Sequence, residues 1–124
     1  MRSPVISINA EANIKGAIEL INEKKIGSLL VKEGKNYAGI ITKTDLIQKV
    51  ILRKLNYKKT KIHTIMTDVI LTIDHETPID EAVGMMNKNQ VRHLAVTENG
   101  GIVGIISIKN ITDYFSDEYI KIFY

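Results

Sequence analysis

The residues with the most chemical promise form a corner that occurs twice. Gly39-Ile40-Ile41-Thr42-Lys43-Thr44-Asp45 returns 65 residues later as Gly104-Ile105-Ile106-Ser107-Ile108-Lys109-Asn110. In each, an apolar strand with a glycine at its base runs into a hydroxyl residue, and three positions on comes a carboxylate or an amide. If the hydroxyl residue caps a helix, the residue three later sits on that helix's first turn. Both side chains then share one solvent-facing cleft with the free backbone N–H groups. A hydroxyl-rich or phosphorylated small molecule suits such a corner. The same spacing is that of a capping box, in which Thr42 and Ser107 are ordinary N-caps. Taken singly, each copy favours the capping box; repetition in register is what turns the pair towards binding.

The elements that must position these corners are themselves duplicated. A shift of 65 aligns the chain with itself without a gap from Val5/Ile70 to Val50/Phe115, with identities that include Glu11/Glu76, Ala17/Ala82, Leu29/Leu94 and Gly39/Gly104. Each copy, about 60 residues, is too small to be comfortable alone. Short extended segments are expected at 5–8 and 70–73. Ile14, Ala17, Ile18 and Ile21 then recur at helical spacing, and Ile79, Ala82, Val83 and Met86 repeat that stripe. The second helix has the better start, with Thr77 as cap, Pro78 at the first position and Asp80 three after the cap; Ala12 and Asn13 occupy those places in the first. Strands follow at 28–31 and 93–96, turns at 32–36 and 97–101, strands at 37–41 and 102–106, and final helices at 43–55 and 108–115. Each unit therefore reads β-α-β-β-α, an α/β (α+β) class.

Composition bounds the rest. The chain has 124 residues, 44% of them apolar, a net charge of +3 and no cysteine. It is expected to fold, and it has neither disulfides nor thiolate metal sites. The charge is too small to argue nucleic-acid binding by itself. With no apolar run near the ~18 residues of a membrane span and no apolar leader, the expectation is a soluble, cytoplasmic protein. Residues 53–61 hold five basic residues; they read as a solvated linker, with a nucleic-acid or acidic-lipid contact as the sharper and weaker alternative. Residues 114–124 hold five of the seven aromatics and suit docking on a neighbouring surface. His63, His75 and His93 match no short metal-ligand spacing, no glycine-rich phosphate loop occurs and no serine has a nucleophile-elbow context. The expectation is a protein that is not an enzyme, with no catalytic residue, metal or catalytic cofactor.

Two β-α-β-β-α units, each ending in a Gly-apolar-apolar-Thr/Ser-x-x-Asp/Asn corner, closely resemble a pair of CBS domains, the Bateman module. The resemblance covers nearly the whole chain, with motif one at 1–60 and motif two at 61–124. It implies a pseudo-two-fold pair with sheets packed together, helices outside, and clefts between the copies. It further implies adenosine-containing ligands such as AMP, ADP, ATP, S-adenosyl compounds or methylthioadenosine. Carried over position by position, Asp45 accepts hydrogen bonds from a ribose diol and Thr42 faces ribose or phosphate, with Ser107 and Asn110 in the same places of copy two. Ile26 and Gly27, with Val91 and Arg92, stand where the family lines the adenine pocket, and Ala10 and His75 fall near it. Arg92-His93 replaces Gly27-Ser28 in copy two and favours phosphate there.

The function implied by the resemblance is a regulatory sensor that transmits a ligand-dependent change to an unidentified downstream protein. The alternative is a ligand-independent assembly module. A homodimer is expected through the helices at 43–55 and 108–115, where Leu46, Ile47, Val50 and Ile51 give an apolar face.

Overall fold

A computed structural model describes residues 5–108. Of two compact units, one is Ile6–Ile70 and the other groups Val5 with the residues from Leu71 on, so residues 61–70 sit with the elements of the first copy and Val5 with those of the second. In the first unit, β1 (Ser7–Asn9) is followed by α1 (Ile14–Lys24), β2 (Ser28–Glu33), β3 (Asn36–Thr42), α2 from Lys43 and a short 3-10 turn at Ile62–Thr64. The second repeats it as β4 (Thr72–Asp74), α3 (Ile79–Asn89), β5 (His93–Glu98) and β6 (Gly101–Ser107). Every strand and first-helix boundary of copy one recurs 65 positions later. The duplication read from sequence is therefore a duplication of structure.

Each sheet has three strands, β1-β2-β3 and β4-β5-β6, with the first pair parallel and the second antiparallel. The central strands β2 and β5 are buried residue after residue, at Leu29, Leu30 and Val31 and at Leu94, Ala95 and Val96. A strand buried on both faces reads as a continuous apolar run rather than an alternating one. Both hairpins carry a bulge at the same place, between Val31 and Lys32 and between Val96 and Thr97. The turns are tighter than expected. Asn99 and Gly100 both take positive φ (53° and 80°) and Gly34 takes 65°, which is the backbone that a two-residue hairpin loop requires.

α1 and α3 pack their predicted stripes, with one exception. Ile14, Ala17 and Ile21 are buried, as are Ala82 and Met86, whereas Ile18 is exposed. The expected ranking of the two helix starts is reversed. Asn13 caps α1, its side-chain oxygen accepting from the Gly16 N–H at 2.9 Å. In copy two Pro78 occupies the cap position and no side chain caps the helix, so Thr77 does not play that part. The helix expected over 43–55 starts as α-helix at Lys43–Asp45 and continues as π-helix over Leu46–Ile51. Leu46 is buried and Val50 half-buried, while Ile47, Ile51 and Leu52 are exposed. The helix expected at 108–115 lies outside the described residues beyond Ile108, as do the aromatic tail and Asn110.

The basic stretch is more than a solvated linker. Its Lys and Arg side chains are exposed, but its backbone docks on the first copy: Ile14 N–H donates to the Thr60 carbonyl (3.0 Å) and Lys15 N–H to the Tyr57 carbonyl (2.9 Å). These carbonyls satisfy helix-start donors that would otherwise lack partners. Just beyond, Ile62 and Ile65 are buried in the core of copy one beside Ala10, Ile14 and Ala17. Thr67 then exchanges backbone bonds with Ile40 (2.9 Å each way). Here glycine is required at position 39, because a Cβ would stand 2.6 Å from the Thr67 carbonyl oxygen.

Candidate functional site

At the first corner β3 ends on Thr42, which is paired with Ser28 at the start of β2. The Lys43 N–H donates to the Gly27 carbonyl at 3.0 Å. Gly27, Ser28, Thr42 and Asp45 therefore meet at one end of the sheet. Thr42 Oγ1 accepts from the Asp45 N–H (3.1 Å) and Asp45 Oδ2 accepts from the Thr42 N–H (3.0 Å), a complete capping box. The carboxylate is half-buried, and its Oδ1 lies 3.6 Å from the Lys49 ammonium, which also donates to the Ile65 carbonyl at 2.6 Å. An ionised carboxylate offers about four lone-pair positions, so the two recorded contacts do not exhaust it.

The second corner has the same frame. Ser107 is paired with His93, and the Ile108 N–H donates to the Arg92 carbonyl at 3.0 Å. Ser107, Arg92 and His93 are thus gathered as Thr42, Gly27 and Ser28 are. Arg92 is exposed and His93 half-buried. Ile26 and Val91, one step earlier, pack against their own copy's core.

Ala10 and His75 lie elsewhere. Their N–H groups donate to the carbonyls of Lys32 and Thr97, both at 2.8 Å, four residues along β2 or β5 from Ser28 or His93. At ~3.3 Å per residue this is roughly 13 Å from the corner of the same copy. Ala10 is a core residue. His75 stands at the rim of an open cavity of about 390 Å³ in copy two, floored by Ala82, Val96 and Ile106, with Asp74 and Glu76 oxygens 3.6 and 3.7 Å away.

Sequence reasoning missed Lys49, although an acid and a lysine four apart on one helix are a recognisable pair. It also missed the linker's seat, where Lys61 Nζ meets Glu11 Oε2 at 2.5 Å. That hydrogen bond, reinforced by the lysine's charge, holds the Glu11 carboxyl below the usual carboxylate range. Among the described residues no group of three or more His, Asp or Glu side chains is placed to hold a metal. No helix there is long and apolar enough to cross a membrane.

The family model for the CBS domain matches residues 1–52 and again 62–117. The chain belongs to the CBS-domain family. Among solved structures, a protein with CBS domains from Burkholderia ambifaria superposes with a TM-score of 0.87 at 32% identity, over 95% of this chain and 88% of its own. A CBS-domain protein from Agrobacterium tumefaciens gives 0.83 at 26%, over 91% and 90%. Among curated relatives, the mitochondrial CBS domain-containing protein CBSX3 of Arabidopsis thaliana is 33% identical over 77% of this chain and 48% of its own. The uncharacterized protein MJ0450 of Methanocaldococcus jannaschii is 32% identical over 90% and 61%. The chain thus spans about half to three-fifths of these two relatives. A CBS pair is a regulatory module that typically binds adenosyl ligands.

Proposed function

We propose that this CBS-domain protein binds an adenosine-containing ligand, such as AMP, ADP, ATP or an S-adenosyl compound, through its strand-to-helix corners and thereby regulates a partner protein. The observation that carries the proposal is the repeated corner itself. A helix-start N–H is bonded to the carbonyl ahead of the central strand in both copies, gathering Thr42, Asp45, Gly27 and Ser28 in one and Ser107, Arg92 and His93 in the other. In this assignment Asp45 receives the ribose diol and Thr42 the ribose or a phosphate. Arg92 and His93 favour a phosphate in copy two, and Asn110 takes the place of Asp45. Any regulation draws its energy from the ligand's differential affinity for two arrangements of the protein.

Calorimetric titration with AMP, ATP, S-adenosylmethionine and methylthioadenosine is the test. Asp45→Asn keeps an oxygen for the Thr42 N–H but drops the charge. A charged hydrogen bond contributes roughly 1.5–3 kcal/mol against about 0.5–1.5 for a neutral one, so affinity should fall up to roughly tenfold. Unchanged affinity for a ligand that binds would remove Asp45 from the site.

A second function, ligand-independent assembly, is favoured by one observation: Ile47, Ile51 and Leu52 are 58, 66 and 75% exposed along the helix where a homodimer contact was expected. A flat ligand panel together with a dimer mass in sedimentation would select it.

A further inference from the structure

The cavity of copy two occupies the place that copy one fills with its linker. Its apolar floor is Ile73, Ile79, Ala82, Val96 and Ile106, the counterparts of Ile8, Ile14, Ala17, Val31 and Ile41. In copy one those residues pack with Ile62 and Ile65, which are 0 and 3% exposed. In copy two no described residue stands over the same floor, which lines the cavity.

The first copy also displays how its occupant is held. Ile62 N–H donates to the Ala12 carbonyl (2.8 Å), His63 N–H donates to the Ala10 carbonyl (3.2 Å), and Lys61 pairs with Glu11. Thr60 and Tyr57 carbonyls cover the first N–H groups of α1. Each of these anchor points has a counterpart in copy two. Thr77 and His75 supply the carbonyls, Glu76 the carboxylate, and Ile79 and Asp80 the helix-start N–H groups. Among the described residues these carbonyls and N–H groups carry no bond, and Glu76 is 82% exposed. The mouth is also more acidic than its counterpart, since Asp74, Asp80 and Glu81 stand where copy one has Asn9, Lys15 and Gly16.

We propose that this cavity is a docking site for a segment of a partner chain of the Lys-Ile-x-x-Ile type. The lysine meets Glu76 and the acidic rim, the first isoleucine enters between Ile79 and Ala82, and two backbone N–H groups reach the Thr77 and His75 carbonyls. The occupant's chemistry follows from the molecule's own example at residues 61–65, together with charge complementarity at the rim. A volume of about 390 Å³ lies within the ~300–1,000 Å³ typical of binding pockets, room for both isoleucines.

The test titrates the full chain, without nucleotide, against a fluorescein-labelled peptide of the linker sequence Lys-Thr-Lys-Ile-His-Thr-Ile-Met, read by anisotropy. Expected are saturable binding that weakens with salt, a severalfold loss in Glu76→Lys, and no change in Glu19→Lys, an exposed carboxylate of α1. A peptide with both isoleucines replaced by aspartate should not bind. Because Glu76 is so exposed, its substitution leaves the fold intact, which circular dichroism checks. Absence of binding at millimolar peptide, or binding indifferent to Glu76→Lys, overturns the proposal. Binding that appears only in Ile122→Asp overturns it too, because the chain's own tail would then be the occupant. None of these readouts depends on the adenosyl corner.

Discussion

The two copies share boundaries, bulges and strand order, yet they are finished differently. Copy one has a side-chain cap on its first helix, a linker that fills its open end and a complete capping box at its corner. Copy two has Pro78 at the cap position of its helix with no side-chain cap, and its described residues line a cavity where copy one seats its linker. A duplicated framework thus fixes where strands and helices lie, while the segments between them decide whether an end is sealed. The internal repeat makes each copy the control for the other.

Core truncation is the strongest way to break that comparison. Ile14→Ala removes a side chain with no exposure and should cost about 2–5 kcal/mol. Ile79→Ala, at the edge of the cavity, should cost clearly less, because part of its surface is already in contact with water. Equal losses in urea unfolding would mean that the second cavity is closed in solution. Helix starts give a smaller contrast. Asn13→Ala should cost about 1 kcal/mol through the lost cap, and Thr77→Ala should stay within about 0.5 kcal/mol; thermal denaturation separates the two. The smallest effect is titration of Glu11. Its folded-state carboxyl is held low by Lys61, so it contributes stability above the ordinary carboxylate range, and that contribution fades as pH falls through the lowered value. Thermal stability of the parent should therefore drop more than that of Glu11→Gln on acidification, so that the parent's advantage at neutral pH closes at low pH.

Much of the framework was legible because a repeat of 65 tests every assignment twice. The helical stripes, the strand order and both corners follow from apolar spacing, and the family resemblance from the order of these parts. The linker's seat was not legible. Ile62 and Ile65 form too short a pattern amid lysines, and their burial is decided by a surface remote in sequence. The cap reversal had a local cause: Thr77 and Pro78 suit a helix start by type, but Asn13 reaches the Gly16 N–H while copy two starts one residue later than its best capping side chain. Leu46, Ile47, Val50 and Ile51 fit an α-helix and a π-helix equally well, so that distinction was invisible. Ala10 and His75 follow their strands immediately, but the parallel pairing of β1 with β2 and of β4 with β5 carries them to the far end of the sheet.

The Lys49 ammonium serves two masters, the Asp45 carboxylate and the Ile65 carbonyl. Anything that redraws the charge around Asp45 therefore tugs on the strap that seals the first copy, and any loosening of the strap returns the favour. The corresponding position in the sequence of copy two is Tyr114, a phenol rather than an ammonium, so among the described residues this crosstalk belongs to copy one.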